Sequence, residues 1–336
     1  MKRRNFIKSS LVLSTTLAAA PSWALNNRIR FGYYYPANQT PQTFLKFVKL
    51  FKKAGIDADI EDLTSYEPNE ALKKVQQGQY AGLFMSTNLA AQALPHMMLF
   101  ADGPDAPISQ DLCEWASFNE EIVDQSFEDF NLKRIPFLKV GPRRGIWVNK
   151  KTSLSENLKD SLVYADGVWA QMMSHHGAKP TQKLGLKSQS PDRLLLSNLF
   201  VADEIKLAND YKINLYDTSP IDETHSSYFD LYFNKSYWGT LKKPHQEKIS
   251  QYILEDGQKM EAFNRVQDER LLQSLLKSSE SHLKFTEKEH QMFSKELSQQ
   301  IRLDYVSQHS TGKSAKKLLD AYTNRFSMTR LNSKKS

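Results

Sequence analysis

The residues that most resemble metal ligands in this sequence are two adjacent histidines. His175 and His176 follow an apolar run and precede Gly177. Neighbouring side chains of an α-helix point about 100° apart, so the two rings are poorly placed to bind one ion. We therefore interpret the pair as the end of a helix and not as a metal site.

Four acidic residues near the amino terminus form a second candidate site: Asp57, Asp59, Glu61 and Asp62. Carboxylates in this number could hold a hard cation such as Ca²⁺. The surrounding sequence, IDADIEDL, is typical of a strand, whose side chains alternate between the two faces of a sheet. A strand would thus separate the carboxylates, and we interpret the run as a solvated sheet edge.

The motifs of the common enzyme classes do not occur. The sequence has neither a G-x-S-x-G nucleophile elbow nor an H-E-x-x-H zinc motif. Gly312, Lys313 and Ser314 end like a phosphate-binding loop, but Ser307 stands where the first glycine of that motif belongs. No pattern combines a nucleophile, a base and an orienting group. We predict that the chain is not an enzyme and has no cofactor.

The elements that would position a binding site alternate between strands and helices. Strands are predicted at 28–36, 56–63 and 80–86, with helices between them. This β-α-β order is typical of a mostly parallel sheet that is covered on both faces. The apolar runs Met97–Phe100 and Arg134–Val140 are predicted to be further buried strands.

The later sequence continues the alternation. We predict a strand at 162–166 that leads into a helix at 168–177, a helix that begins at Ser190-Pro191, and a strand at Tyr228–Asn234. Apolar residues then recur at helical spacing from Pro244 to Lys277, which predicts one helix of more than 30 residues.

The first 24 residues have the pattern of a secretory signal peptide. Basic residues in KRRNFIK precede the short apolar run LVLSTTLAAA, and small residues lead up to Leu25. Ten apolar residues are too few to cross a bilayer, which takes about 20. Arg3 and Arg4 resemble the twin-arginine export signal, whose route carries folded proteins, and an ordinary Sec signal is the alternative. We predict a periplasmic location.

Charge and cysteine content restrict the remaining classes. The chain has 45 Lys and Arg against 38 Asp and Glu, a formal charge of +7. Removal of Lys2, Arg3, Arg4 and Lys8 with the leader leaves 41 basic residues, so the mature chain is close to neutral. The charges are interspersed and form no stripe for nucleic acid. Because Cys113 is the only cysteine, an exported chain would have no internal disulfide and would depend on its core.

Three stretches of the mature chain resemble the solute-binding proteins of tripartite ATP-independent periplasmic (TRAP) transporters, of the dicarboxylate-binding type. They are GPRRGIWVNKKTSLSENLKDSLVYADG, SPDRLLLSNLFVADE and YFDLYFNKSYWGTLKKPHQEKISQYILEDGQKMEAF. Asn234-Lys235, Trp238, Leu241 and Gln246–Ile249 fall at the spacing of the family's third stretch. VQQGQYAGLF also fits a turn of the family, so the likeness covers most of residues 28–300.

The resemblance implies an α/β, two-lobed periplasmic binding protein fold (type II-like), with mixed sheets in each lobe and a long helix spanning the lobes. We divide the chain into a signal peptide at 1–24, a part mainly in lobe 1 at 25–143, a part mainly in lobe 2 at 144–227, and a part shared by both lobes at 228–336. A small organic anion, a carboxylate, is expected in the interlobe cleft, with TRAP membrane permease subunits as protein partners. Neither nucleic acid binding nor membrane insertion of the mature chain is expected.

The resemblance also implies a set of ligand-binding residues. Arg143 stands at the position of a family ligand arginine, with Arg144 as a weaker candidate, and Tyr164 stands where a second arginine usually pairs with the substrate carboxylate. Trp147 and Asn149 complete the set together with Lys206, which replaces an acid that helps bind a cation in some members. Since a lysine would repel a cation, we predict no metal. The alternatives are a hinge salt bridge for Arg143 and a place in the core for Tyr164.

Two other functions stay open. One is a family-like ligand sensor or partner-binding scaffold without transport, which a neighbouring sensor-kinase gene would favour. The other is a periplasmic enzyme that is exported folded, which a coloured or metal-bearing purified protein would favour.

Overall fold

Two mixed β-sheets and the helices around them make up the fold. A computed structural model describes residues 29–35, 49, 51–53, 55, 57–107, 109–142, 145–148, 158–181, 193–194, 214–217, 226–276, 282–284 and 286–327. The α/β class and the mixed sheets predicted from the sequence are confirmed.

The first sheet has the strand order β2-β1-β3-β10-β4. Strand β1 pairs in parallel with β2 and β3, whereas β10 lies antiparallel between β3 and β4. The strands are β1 Ile29–Tyr34, β2 Ala58–Asp62, β3 Gly82–Ser86, β4 Leu132–Pro142 and β10 Ser226–Asn234. The strand predicted at Arg134–Val140 is therefore part of β4, and the one at Tyr228–Asn234 is part of β10.

The second sheet has the strand order β11-β9-β5-β8-β6-β7. Strand β6 is parallel to β7 and β8, and β5 is antiparallel to β8 and β9. The strands are β5 Gly145–Val148, β6 Leu162–Tyr164, β7 Lys179–Thr181, β8 Arg193–Leu194, β9 Asn214–Asp217 and β11 His282–Lys284. The chain passes from the first sheet to the second between Pro142 and Gly145.

The described helices cover both sheets. They are α1 Pro68–Gln76, α2 Thr87–Ala90, α3 Ser109–Phe118, α4 Glu120–Glu128, α5 Gly167–His175, α6 Lys235–Thr240, α7 Lys243–Leu276, α8 Glu287–Met292, α9 Lys295–His309 and α10 Lys313–Phe326. The 34 residues of α7 confirm the predicted long helix, which packs against β4.

Local sequence explains where several helices begin and end. Helix α1 has Pro68 in its first turn, where a missing N–H does no harm, and Gly78 follows it with a φ of 75° that favours glycine. The side chain of Thr286 accepts from the N–H of Glu289, whose carboxylate accepts from the N–H of Thr286, and this capping box starts α8.

Two predicted elements are wrong. Met97–Phe100 is part of a 3-10 helix, Pro95–Phe100, and not a strand, because a short apolar run fits either element and Pro95 favours a helical start. The helix predicted from Ser190 is a strand at Arg193–Leu194, which joins β5 to β6 in the sheet. The rest of that predicted helix lies outside the described residues, as does the signal peptide.

One hydrophobic core connects the two sheets. Leu83 and Met85 of β3 belong to the same buried cluster as Val163 of β6 and Trp169 of α5. Helix α5 contacts α2 and α9, which carry the core from one sheet to the other. In the described part of the chain, no helix is long and apolar enough to span a membrane.

Candidate functional site

The carboxyl ends of β3 and β6 meet where the two sheets adjoin. Ser86 ends β3 and caps α2 by accepting from the N–H of Leu89, while β6 ends at Tyr164 just before α5. In open α/β folds, ligands bind outside the carboxyl ends of strands, and pockets occur preferentially between domains. This junction is therefore the candidate site.

A buried polar network crosses the junction. The side-chain amide of Asn88 donates to Oδ1 of Asp102 and, at 3.2 Å, to Oδ1 of Asp166. The N–H of Asp102 donates back to Oδ1 of Asn88 at 3.1 Å. All three side chains are buried, and such groups are stable only with hydrogen-bond partners. Asn88 belongs to α2 and Asp166 precedes α5, so the network joins the two halves of the molecule.

Gly167 permits the close approach that this network needs. Its φ of 55° favours glycine, and a Cβ there would lie 2.9 Å from Cγ of Asn88. Any other residue would push α5 away from α2. The junction thus requires glycine at position 167, directly after the Asp166 that accepts from Asn88.

A second buried network stands beside the junction in the first sheet. Arg134 donates to Oδ1 of Asp230 at 3.0 Å, and Oδ2 of that carboxylate accepts from Thr87 at 2.9 Å and from Tyr232 at 3.0 Å. Burial disfavours the charged guanidinium, but the Asp230 carboxylate keeps the pKa of Arg134 above its ordinary value. The pair holds β4, β10 and the start of α2 in a fixed arrangement.

A third network attaches helix α9 to the segment after the 3-10 helix. Arg302 donates from Nε to Oδ2 of Asp105 at 2.7 Å and from Nη2 to Oδ1 at 2.8 Å, and Nη1 donates to the carbonyls of Met98 and Ala101. Ser298 also donates to Asp105. Burial opposes the charge, but Asp105 raises the pKa of Arg302. The side chains of the ion pair are completely buried.

The sequence-predicted site residues are only partly described by the structure. Tyr164 lies at the carboxyl end of β6, next to the junction, and is completely buried. Trp147 is a residue of β5, where it pairs with Leu194 and Leu215. Arg143, Asn149 and Lys206 lie outside the described residues, as does Arg144, so their roles stay predictions.

The two candidate metal sites from the sequence have other roles. His175 ends α5, and the ring of His176 lies 2.9 Å from the carbonyl of Met292, which confirms a helix end. The acidic run forms β2, an edge strand as predicted, and Glu61 pairs there with Arg30.

A cluster of metal-binding side chains is not found among the described residues. They contain no group of three or more His, Cys, Asp and Glu side chains with suitable geometry. Asp102 and Asp166 both accept from the Asn88 amide, whose nitrogen stands between the two carboxylates.

Sequence reasoning missed all three buried networks. One signal was available for Arg302, because Ser298, Arg302 and Val306 recur every four residues and so share a face of α9 that is buried. Arginine on such a face needs a buried acid. The network at Asn88 gave no comparable signal, since its members are 14 and 78 residues apart.

Comparison with known proteins finds likeness in three dimensions and not in sequence. No family model and no curated protein matches the chain. A TRAP periplasmic solute-binding protein from Colwellia psychrerythraea, solved with calcium and pyruvate, superposes with a TM-score of 0.72 at 15% identity, over 92% of this chain and 97% of that one.

Two further structures belong to the same group. An extracytoplasmic solute receptor of Bordetella pertussis that binds pyroglutamic acid superposes with a TM-score of 0.66 at 18% identity. The match covers 88% of this chain and 99% of that one. A TRAP periplasmic solute-binding protein from Desulfovibrio salexigens with bound orotic acid superposes with a TM-score of 0.69 at 16% identity. The match covers 90% of this chain and 99% of that one. The chain has the fold of these proteins, so the two-lobed fold predicted from the resemblance is confirmed.

Proposed function

We propose that this chain is the solute-binding protein of a TRAP transporter, which captures a small organic acid between its two lobes and delivers it to the membrane subunits. The observation that carries the proposal is the extent of the structural likeness. The match with the pyruvate-binding structure covers 92% of this chain and 97% of the other, so both lobes of that fold have counterparts here. The three solved structures compared above are binding proteins and not enzymes.

A carboxylate is the ligand class that we favour. Pyruvate, pyroglutamic acid and orotic acid, the ligands of the three solved structures, each carry one. An anion that leaves water needs a compensating positive charge, since an unpaired buried charge is costly by several kcal/mol. We propose that Arg143 and Lys206 supply this charge and that Tyr164 donates one hydrogen bond.

The position of Arg143 in the chain supports its role. Strand β4 of the first sheet ends at Pro142, and β5 of the second sheet begins at Gly145. Arg143 thus belongs to the short link between the sheets, where hinge closure would act on it. Trp147 in β5 and Asn149 just beyond it are the neighbouring candidates for the same wall of the cleft.

A periplasmic location follows from the same proposal. The solved structures are periplasmic or extracytoplasmic proteins. The paired arginines at the start of the chain favour export in the folded state, in which both lobes would already be assembled.

A thermal-shift screen tests ligand binding. The mature chain from Leu25 would be heated with pyruvate, pyroglutamate or orotate, each with its neutral amide as the matched control. A ligand that binds only the folded state stabilises it by about 2.7 kcal/mol at a hundredfold excess over Kd. We expect at least one acid, and no amide, to raise the melting temperature.

The same screen tests the absence of a metal requirement. Because Lys206 replaces an acid of the family pattern, the shift should be equal with EDTA and with added Ca²⁺. Stabilisation by the amides but not the acids would contradict the carboxylate proposal. A shift that EDTA abolishes would contradict the metal-free site.

A further inference from the structure

The surface formed by α3 and α4 is strongly acidic, although the mature chain as a whole is close to neutral. Residues 109–130 contain seven carboxylates and no lysine or arginine. These acids are Asp111, Glu114, Glu120, Glu121, Asp124, Glu128 and Asp129. Among the described residues, Lys133 pairs with Asp124 and Lys235 pairs with Glu128. This one-sided charge contrasts with the interspersed charges elsewhere.

A cavity of about 360 Å³ opens between these helices and the first sheet. Its walls include Leu112, Ala116 and Val123 of the two helices and Phe100 and Tyr228 opposite them. Four charged residues also border it: Glu120, Asp124, Lys133 and Arg134. The volume is at the lower end of ligand pockets, which span about 300 to 1000 Å³. The cavity is large enough for one aromatic or long aliphatic side chain.

An exposed aromatic residue directly follows a cavity-lining residue at the end of α3. Phe118 is 90% exposed and directly follows Ser117, which lines the cavity. A phenyl ring in water leaves its apolar area unburied, and exposed apolar groups with polar surroundings mark interaction sites. The other large apolar side chains found exposed in the described residues, Leu254 and Val266, lie on α7 and are not among the residues that line this cavity.

We propose that the α3–α4 surface docks a protein partner that presents a basic segment with one apolar side chain for the cavity. The negative charge attracts a basic segment and steers its approach. The apolar walls accept a side chain, and Phe118 adds an aromatic contact of the kind enriched at interfaces. The same charge repels anionic lipid and nucleic acid, which disfavours both as occupants.

The partner of this chemistry is the membrane part of the transporter. This identification rests on the proposed function, because a solute receptor has to meet its membrane subunits in order to release the solute to them. The surface lies on the first sheet's half and does not include the junction residues Asn88 and Asp166. A substitution on it should therefore change docking without changing solute affinity.

Uptake into proteoliposomes that contain the membrane subunits would test the proposal. The protein would be added at increasing concentration, with labelled solute from the thermal-shift screen. Phe118→Ser and the double variant Glu120→Lys/Glu121→Lys should each raise the half-saturating protein concentration about tenfold or more, as expected for an anchor residue and for charge reversal at an interface. The double variant Glu120→Gln/Glu121→Gln should have a smaller effect.

Matched controls come from α7. Leu254→Ser removes an exposed apolar side chain, and Glu247→Gln removes an exposed carboxylate, both far from α3 and α4 in sequence. These variants should leave uptake unchanged, and all variants should keep the thermal shift with solute, which shows that they fold and bind.

The outcomes separate the two proposals. Unchanged uptake by the α3–α4 variants, with active wild-type protein, would overturn the docking surface and leave the transport function standing. If the wild-type protein binds solute but supports no uptake, both the docking surface and the transport function would be overturned. A change in oligomeric state on Phe118→Ser, seen by sedimentation, would identify a second copy of the chain as the occupant and overturn the proposal.

Discussion

The side-chain amide of Asn88 donates a 3.2 Å hydrogen bond to the carboxylate of Asp166, and this bond joins the two halves of the molecule inside the core. Hydrogen bonds are directional, and a buried polar group that loses its partner destabilises the fold. The pair therefore specifies how α2 and α5 meet, whereas the apolar core around it would tolerate small shifts.

Replacement of Asn88 should weaken the fold. Asn88→Ala removes the donor shared by two buried carboxylates and should lower the free energy of unfolding by about 2 to 4 kcal/mol. Urea unfolding followed by circular dichroism would measure it. Asn69→Ala, at an exposed position in α1, should change stability by no more than about 0.5 kcal/mol. Equal free energies of unfolding for the two variants would show that the network does not stabilise the fold.

The stability should depend on pH through His96. This ring is completely buried between Phe127 and Phe130, and its nitrogens have no hydrogen-bond partner among the described residues. Burial, with the nearby charge of Arg134, lowers the pKa of His96 from 6.5 to about 3. Because the unfolded chain binds the proton more readily, stability is fully present above pH 6.5 and falls as the pH drops towards 3.

A substitution isolates this contribution. Between pH 6.5 and about 3, one such group changes the free energy of unfolding by up to about 1.4 kcal/mol per pH unit. His96→Leu should flatten the pH dependence of the unfolding free energy between pH 6.5 and 4 relative to the parent protein. Urea titrations at several pH values would decide, and an unaltered slope for His96→Leu would contradict the assignment.

Removal of one partner of the Arg302–Asp105 pair should be strongly destabilising. Arg302→Met leaves a buried carboxylate without its counter-charge, which typically costs about 3 to 5 kcal/mol. The double variant Arg302→Met/Asp105→Leu should recover part of that loss, because no charge is then left unpaired. Arg325→Met, at an exposed site on α10, is the control. A double variant less stable than Arg302→Met would refute this reasoning.

Ligand affinity should depend on the two proposed cations. Arg143→Ala and Lys206→Ala should each weaken acid binding by about 2 to 5 kcal/mol, the range for breaking one side of a buried charged pair. Tyr164→Phe should cost only about 1 kcal/mol, the net value of one hydrogen bond. Calorimetric titration with the best acid would measure all three. If Lys206→Ala binds the acid as tightly as the parent, the proposed role of Lys206 is wrong.

Export should depend on the paired arginines. Replacing Arg3 and Arg4 together by lysine keeps the charge but removes the twin-arginine pattern, so the precursor should accumulate in the cytoplasm. Cell fractionation and immunoblotting would show it, with Lys2→Arg as a control that preserves the pair. Normal periplasmic amounts of the double variant would indicate the Sec route.

Local patterns were enough to predict the elements with a clear periodicity. Helical spacing gave α7 within one residue at each end, and the alternation after Arg28 gave β1. The same local reasoning failed at Met97–Phe100, where four apolar residues fit a strand as well as a 3-10 helix. At Arg193–Leu194 the strand is two residues long, too short for any periodicity.

The buried networks could not be predicted for a different reason. Asp105 and Arg302 are 197 residues apart, and Asp230 meets Thr87 across 143 residues. Which polar side chains pair across such distances depends on the packing of elements, and one sequence contains no direct record of it. The ligand candidates came only from a family resemblance, and three of the five lie outside the described residues.

The place of β10 in the first sheet bears on how the protein can be made. This strand lies between β3 and β4, yet it follows them by more than 80 residues and comes after the five strands of the other sheet that the structure describes before it. Until residue 234 has left the ribosome, β3 and β4 lack their shared neighbour and expose unpaired edges. The amino-terminal lobe therefore cannot complete its sheet during early synthesis, and a nascent or truncated chain ending before Ser226 should depend on chaperones to avoid aggregation.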